Sequence, residues 1–149
     1  MSRLRFRISI SLDGFVAGPE QSVKNPLGIG GMRLHEWVVP LKAWRTPHGL
    51  EGGEVNESSK VIEEQQRVLQ GGTTFTFVTE GIHKALELAR RAALEKDVSL
   101  AGGAAAARQY LVAGLVDEME LNLAPTLLGL ALVRTVATPK VVHLKLARK

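Results

Sequence analysis

The sequence predicts a three-layer α/β domain, and three observations point there. The chain opens on a stretch of strict two-residue alternation, and its second half interleaves short apolar runs with helical patterns. It closes on two apolar runs separated by a short turn. Strands alternating with helices build parallel βαβ units, whereas strands joined by a short turn must be antiparallel. A mostly parallel central sheet with antiparallel C-terminal edge strands follows. A chain of 149 residues suits one domain, here residues 1–149, and folding at that size hides roughly two-thirds of the unfolded surface.

The elements are read in chain order. Leu4, Phe6, Ile8, Ile10 and Leu12 alternate with Arg5, Arg7, Ser9 and Ser11, so the first strand has one apolar and one polar face. Asp13-Gly14 ends it as a turn. Residues 18 to 31 hold too many Gly and Pro residues for a regular element, which makes a long loop. Leu34, Trp37, Val38, Leu41 and Trp44 then fall at helical spacing, and Pro40 must kink or divide that helix. Residues 54 to 70 read as a polar helix with Asn56 or Ser58 as cap.

Thr73 to Thr79, rich in β-branched and aromatic residues, reads as a strand, and Ile82 to Ala93 as a helix. Val98 to Ala101 is a short strand, Gly102-Gly103 a turn, and Ala104 to Ala113 a helix closed by Gly114. Met119, Leu121 and Leu123 mark another strand, which stops at Pro125. Leu132 to Ala137 and Val141 to Leu146 form the last two.

Composition narrows the function classes. Hydrophobic residues at 45% and charged residues at 23% are the balance of a globular chain, which argues against disorder. No apolar run approaches the roughly 18 residues of a membrane span, and charges or hydroxyls interrupt MSRLRFRISISLDG where a secretory signal would be apolar. A cytoplasmic protein with no membrane partner is expected. The absence of cysteine removes disulfides, thiolate nucleophiles and thiolate metal sites. A net charge of +4 favours anionic partners, yet the basic residues are scattered and aromatics are only 5%, so no nucleic-acid partner is expected.

Val98-Ser-Leu-Ala-Gly-Gly-Ala-Ala-Ala-Ala-Arg108 is the strongest chemical signal. A strand meets a helix through two glycines, and the free amides of the helix's first turn attract an anion where no Cβ blocks its approach. A tight βα turn with no ligand explains the same residues. Gly28-Ile-Gly-Gly-Met32 offers Gly30 and Gly31 as a second backbone approach, or else a flexible connection. Asp13, His35 and Glu36 are the titratable candidates near it. The four histidines have no ligand spacing, so no metal is expected, and no GxSxG elbow supports a serine hydrolase. Trp37 and Trp44 read as core residues.

Three stretches together resemble one family. Ile8-Ser-Ile-Ser-Leu-Asp-Gly-Phe-Val-Ala17, Asp97-Val-Ser-Leu-Ala-Gly-Gly103 and Gly114-Leu-Val-Asp-Glu-Met-Glu-Leu-Asn-Leu-Ala-Pro-Thr-Leu-Leu-Gly129 are similar to the first-strand motif, cofactor turn and later strand of that family. It comprises the stand-alone bacterial relatives of the reductase domain of the riboflavin-biosynthesis deaminase-reductase, within the dihydrofolate-reductase-like fold.

The resemblance implies an NADPH-dependent reductase of a small heterocycle, pterin-like or aminouracil-like. It nominates Ile10 and Ala17 beside the nicotinamide, and Gly102, Gly103, Ala104 and Ala105 around the diphosphate. Asp13 and Glu36 are its catalytic candidates, Asp13 serving equally well as a structural turn residue. The sequence departs from the family pattern near 62–71 and 129–131, where the resemblance implies missing segments, among them a strand and a Gly-Arg loop for the cofactor's 2′-phosphate. A nucleotide-binding or assembly protein without turnover is the alternative function. Exposed edge strands near 117 to 148 suit a homodimer.

Overall fold

The computed structural model describes residues 2–66 and 74–148. The chain divides into two compact units, Met1–Ile8 with Gly72–Asn122, and Ser9–Gly71 with Leu123–Lys149.

The first unit is built on a parallel sheet of order β2-β1-β3, with β1 at Leu4–Ser11, β2 at Val98–Leu100 and β3 at Glu118–Ala124. Leu4 lies opposite Val98 and Phe6 opposite Leu100. Leu4 and Phe6 are buried, while Arg5 and Arg7 on the other face reach acidic groups of the flanking residues. Arg5 Nε lies 2.9 Å from Asp97 and Arg7 Nε 3.1 Å from Glu120. Such partly exposed pairs add little stability, but they disfavour slipped registers. Helix α3, Ile82–Ala93, packs on β2 and buries Leu86, and helix α4, Ala104–Val112, buries Ala107. Both helices lie where the apolar spacing puts them.

The strand expected over Thr73 to Thr79 is not formed by its described part. Residue 73 lies outside the described residues, and residues 74–79 are irregular, with Phe75 and Phe77 exposed. β propensity makes a strand only where a neighbouring backbone supplies ladder partners, and neither edge of the three-stranded sheet pairs with this segment.

The second unit begins where the first strand changes phase. Ser9 and Ser11, expected on the polar face, are buried, and Leu12, expected on the apolar face, is exposed. The inversion is tolerable because the Ser11 hydroxyl is hydrogen-bonded on both sides, to Asp13 and to the Phe15 amide. The predicted helix through Pro40 is divided, as a ring without an N–H requires. A 3-10 turn at Gly31–Leu34 precedes irregular turns, and the one-turn helix α1 follows at Lys42–Arg45. Helix α2 spans Glu57–Gln66, with Asn56 Oδ1 accepting from the Ser58 amide at its start. Residues 67–70 of the predicted helix, and the remainder of the join up to 71, lie outside the described residues.

Val38, Leu41 and Ile62 form the buried centre of this unit, with Trp37 and Trp44 packed against them, as their spacing implied. Ile62→Val removes one methylene from that centre, so the urea midpoint should fall by the equivalent of about 1 kcal/mol with an unchanged slope. An unchanged midpoint would show that the site collapses onto the smaller side chain.

The antiparallel C-terminal pair is present as its own two-stranded sheet, β4 at Leu130–Ala137 and β5 at Val142–Arg148. Leu132 pairs with Leu146 and Arg134 with Lys145, and a bulge at Val133 separates the two registers.

Candidate active site

The turn after β2 sets a helix N-terminus at the carboxyl end of a parallel strand, the usual ligand position in open α/β sheets. Gly103 is the cap residue of α4, and no side chain caps the helix. The first carbonyl to accept a helical bond is that of Gly103, from the Ala107 amide at 3.1 Å. The amides before Ala107 therefore face outward from the helix start, where Gly102 to Ala105 are all exposed. Gly103 has φ −76° and ψ 177°, which any residue adopts, and a Cβ built there would meet no atom within 4 Å. Neither backbone conformation nor packing calls for glycine at this point. That removes the reason a plain tight turn would have for it, and leaves the close approach of an anion.

The second unit holds a polar clamp. The Asp13 carboxylate accepts hydrogen bonds from the Ser11 hydroxyl at 2.6 Å and from the amides of Leu128, Gly129 and Leu130 at 3.1, 2.8 and 2.9 Å. Burial works against its ionisation, but the Ser11 hydroxyl and the three amides outweigh it and hold its pKa at about 2. At neutral pH Asp13 is an anion whose lone pairs are already engaged. It ties the turn after β1 to the start of β4.

Beside this clamp lies a cavity of about 400 Å³, lined by Gly14 to Pro19, Gln21, Leu128 and Gly129. Its lining is largely backbone and apolar groups, with no charged side chain. The Phe15 ring covers Gly129 so closely that an added Cβ would sit 2.8 Å from it. The adjoining loop is closed by backbone bonds, Gly18 N to Leu27 O and Ile29 N to Pro19 O, each 2.8 Å. Gly18 and Gly28 meet there backbone to backbone, with no room for a Cβ on either. The expected long loop is thus an ordered wall.

Among the nominated residues, Asp13 stands at the clamp and Ala17 lines the cavity, while Gly102, Gly103, Ala104 and Ala105 form the helix cradle of the first unit. Ile10 is half-buried on β1 and does not line the cavity. Gly30 is exposed with a left-handed backbone. Gly31 is buried against Gly18 and Leu27, so the loop itself uses its missing side chain. Glu36 is exposed, and burial pushes the neighbouring His35 below its usual pKa, leaving a neutral imidazole at pH 7. Leu128 and Gly129 were not singled out from the sequence. Their signal was indirect: an Asp at a strand end, two residues after a Ser, accepts more bonds than its own turn can supply.

Among the described residues no group of three or more His, Asp or Glu side chains could hold a metal ion, and no helix is long and apolar enough to cross a membrane. A family model described as RibD C-terminal domain matches residues 53–148. No curated protein matches the chain.

Proposed function

From a chain that belongs to the RibD C-terminal domain family, a reductase-type domain of riboflavin biosynthesis, we propose an NADPH-dependent reductase of a small heterocycle, pterin-like or aminouracil-like. The observation that carries this reading is the uncapped start of α4 behind a glycine that the fold does not require. Gly102, Gly103, Ala104 and Ala105 would hold the diphosphate through main-chain amides and the positive end of the helix dipole. NADPH, when bound, supplies hydride from C4 of its nicotinamide, so the chain itself needs no strong nucleophile.

The cavity beside Asp13 has the character of a site for a flat ring: neutral walls, the Phe15 ring and Leu128 to pack against, and exposed backbone groups to orient it. Asp13 is ionised and engaged as an acceptor, which makes it a positioning residue that fixes Leu128 and Gly129. Glu36, the other carboxyl candidate, is exposed and outside the cavity lining, so proton delivery then falls to ordered water.

Binding is measured by thermal unfolding in the presence of NADPH. Cofactor at about 100 times its Kd adds about 2.7 kcal/mol, which in a chain of this size raises Tm by about 5–10 °C. No shift at millimolar NADPH would overturn the reading. Turnover is followed as NADPH oxidation with pterins and aminouracils. The engagement of Asp13 also supports a second reading, a nucleotide-binding protein without turnover, which predicts the Tm shift but no oxidation with any of these compounds.

A further inference from the structure

Among the described residues that line the cavity beside Asp13, Gln21 alone carries a polar side chain. The rest offer apolar groups and main chain. Gln21 is exposed, which sets it at the open edge of the cavity.

The chain holds this amide in one orientation. Gln21 Nε2 donates to the Pro26 carbonyl at 2.7 Å, and because a carbonyl only accepts, the nitrogen and not the oxygen must face it. The residues between are braced. The Ser22 and Asn25 amides donate to each other's carbonyls at 3.0 and 3.1 Å, and the Gly28 amide donates to the Asn25 carbonyl at 3.1 Å. Glu20, immediately before, has φ 58°, a left-handed backbone that a residue with a Cβ occupies only where its surroundings hold it there. The loop thus accepts strain next to the cavity and ties down the side chain that follows. Gln21 Oε1 and the second N–H of Nε2 have no partner among the described residues.

We infer that Gln21 is the specificity-determining residue of this cavity, pairing through that oxygen and that N–H with a lactam edge, a ring N–H beside a ring carbonyl. An acceptor next to a donor is matched by a donor next to an acceptor. Because the amide is already fixed, little rotamer freedom is lost when it pairs. A ring of the same outline with an alkylated nitrogen offers no donor and leaves the glutamine oxygen unpaired, which is how a polar site rejects an analogue. This inference deepens the proposed reduction of a heterocycle and rests on the ring sitting in this cavity.

The probes are 1-methyllumazine and 1,3-dimethyllumazine, pteridinediones that differ by one methyl group, so that only the first has a lactam N–H. Their affinities are read from fluorescence anisotropy in the presence of NADP+, which prevents turnover. The parent protein should bind the first at least about 10-fold more tightly, the worth of one or two neutral hydrogen bonds. Gln21→Met, similar in length but without the amide, should bring the two affinities to within about twofold of each other. A residue that merely closes the loop onto Pro26 would, when replaced, weaken both ligands together and keep their ratio, and that result would overturn the inference. Thermal unfolding checks that the variant is folded, and the comparison of ligands in the parent needs no variant. Equal affinities in the parent also overturn the inference, while a Tm still raised by NADPH would leave the reductase reading standing. A parent that binds neither pteridine overturns both the inference and the assignment of the cavity to the ring.

Discussion

Gly103→Asp should bind NADPH at least about 100-fold more weakly than the parent protein while making the fold slightly more stable. The two effects have one origin. At φ −76° and ψ 177° the position has the extended backbone of a helix cap, and its Cβ direction is open. An aspartate there accepts a bond from a first-turn amide and places a negative charge at the positive end of the α4 dipole. Capping and dipole together should contribute about 0.5–1 kcal/mol to stability, seen as a raised urea midpoint. The same carboxylate occupies the amides that a diphosphate needs, and it repels that anion. Gly103→Ala separates the terms: it fills the space without charge or cap, so it should weaken binding less and leave stability nearly unchanged. An aspartate variant that gains stability yet binds NADPH as tightly as the parent would show that the cofactor does not use these amides.

The two candidate regions, one in each unit, were legible to different degrees, for physical reasons. The cradle is local: a short strand, two glycines and an alanine-rich helix lie within Val98 to Val112, and local pattern sufficed to place each. Helix α3 and the antiparallel hairpin are equally local and appear where periodicity put them. The cavity could not be read this way. It depends on bonds between Asp13 and residues more than a hundred positions away, which leave no periodic trace. The burial of Ser11 escapes the pattern for another reason, because alternation assumes that polar groups seek water, and that fails where Asp13 and the Phe15 amide satisfy the hydroxyl. Residues 74–79 fail in the other direction, having strand composition without a strand beside them. Ile10 comes from the resemblance and Glu36 also from its place beside the glycine loop, and the structure places neither in the cavity lining.

Asp13→Ala should lower stability by about 3 kcal/mol at pH 7, because it leaves the amides of Leu128, Gly129 and Leu130 and the Ser11 hydroxyl without their acceptor. Part of that loss depends on pH, and its sign is fixed by the direction of the pKa change. The carboxyl falls from 3.8 in the unfolded chain to about 2 in the folded one, so its stabilisation is complete above pH 4 and disappears as the pH drops through 2. Since the group retains some contact with solvent, this portion amounts to about 1–2 kcal/mol. The gap between parent and Asp13→Ala, measured by urea unfolding, should therefore be constant from pH 7 to 5 and narrow between pH 4 and 2. Asp13→Asn keeps the shape but turns an amide donor toward other donors, so it should recover only a fraction of the loss. These outcomes separate a clamp from a proton donor. A catalytic acid replaced by asparagine would lose kcat with the fold intact and no acid-dependent gap. A clamp loses stability first, and turnover falls through a raised KM for the heterocycle as Leu128 and Gly129 loosen. If Asp13→Ala unfolds at the parent midpoint at every pH, the bonds to residues 128–130 are not holding the cavity wall.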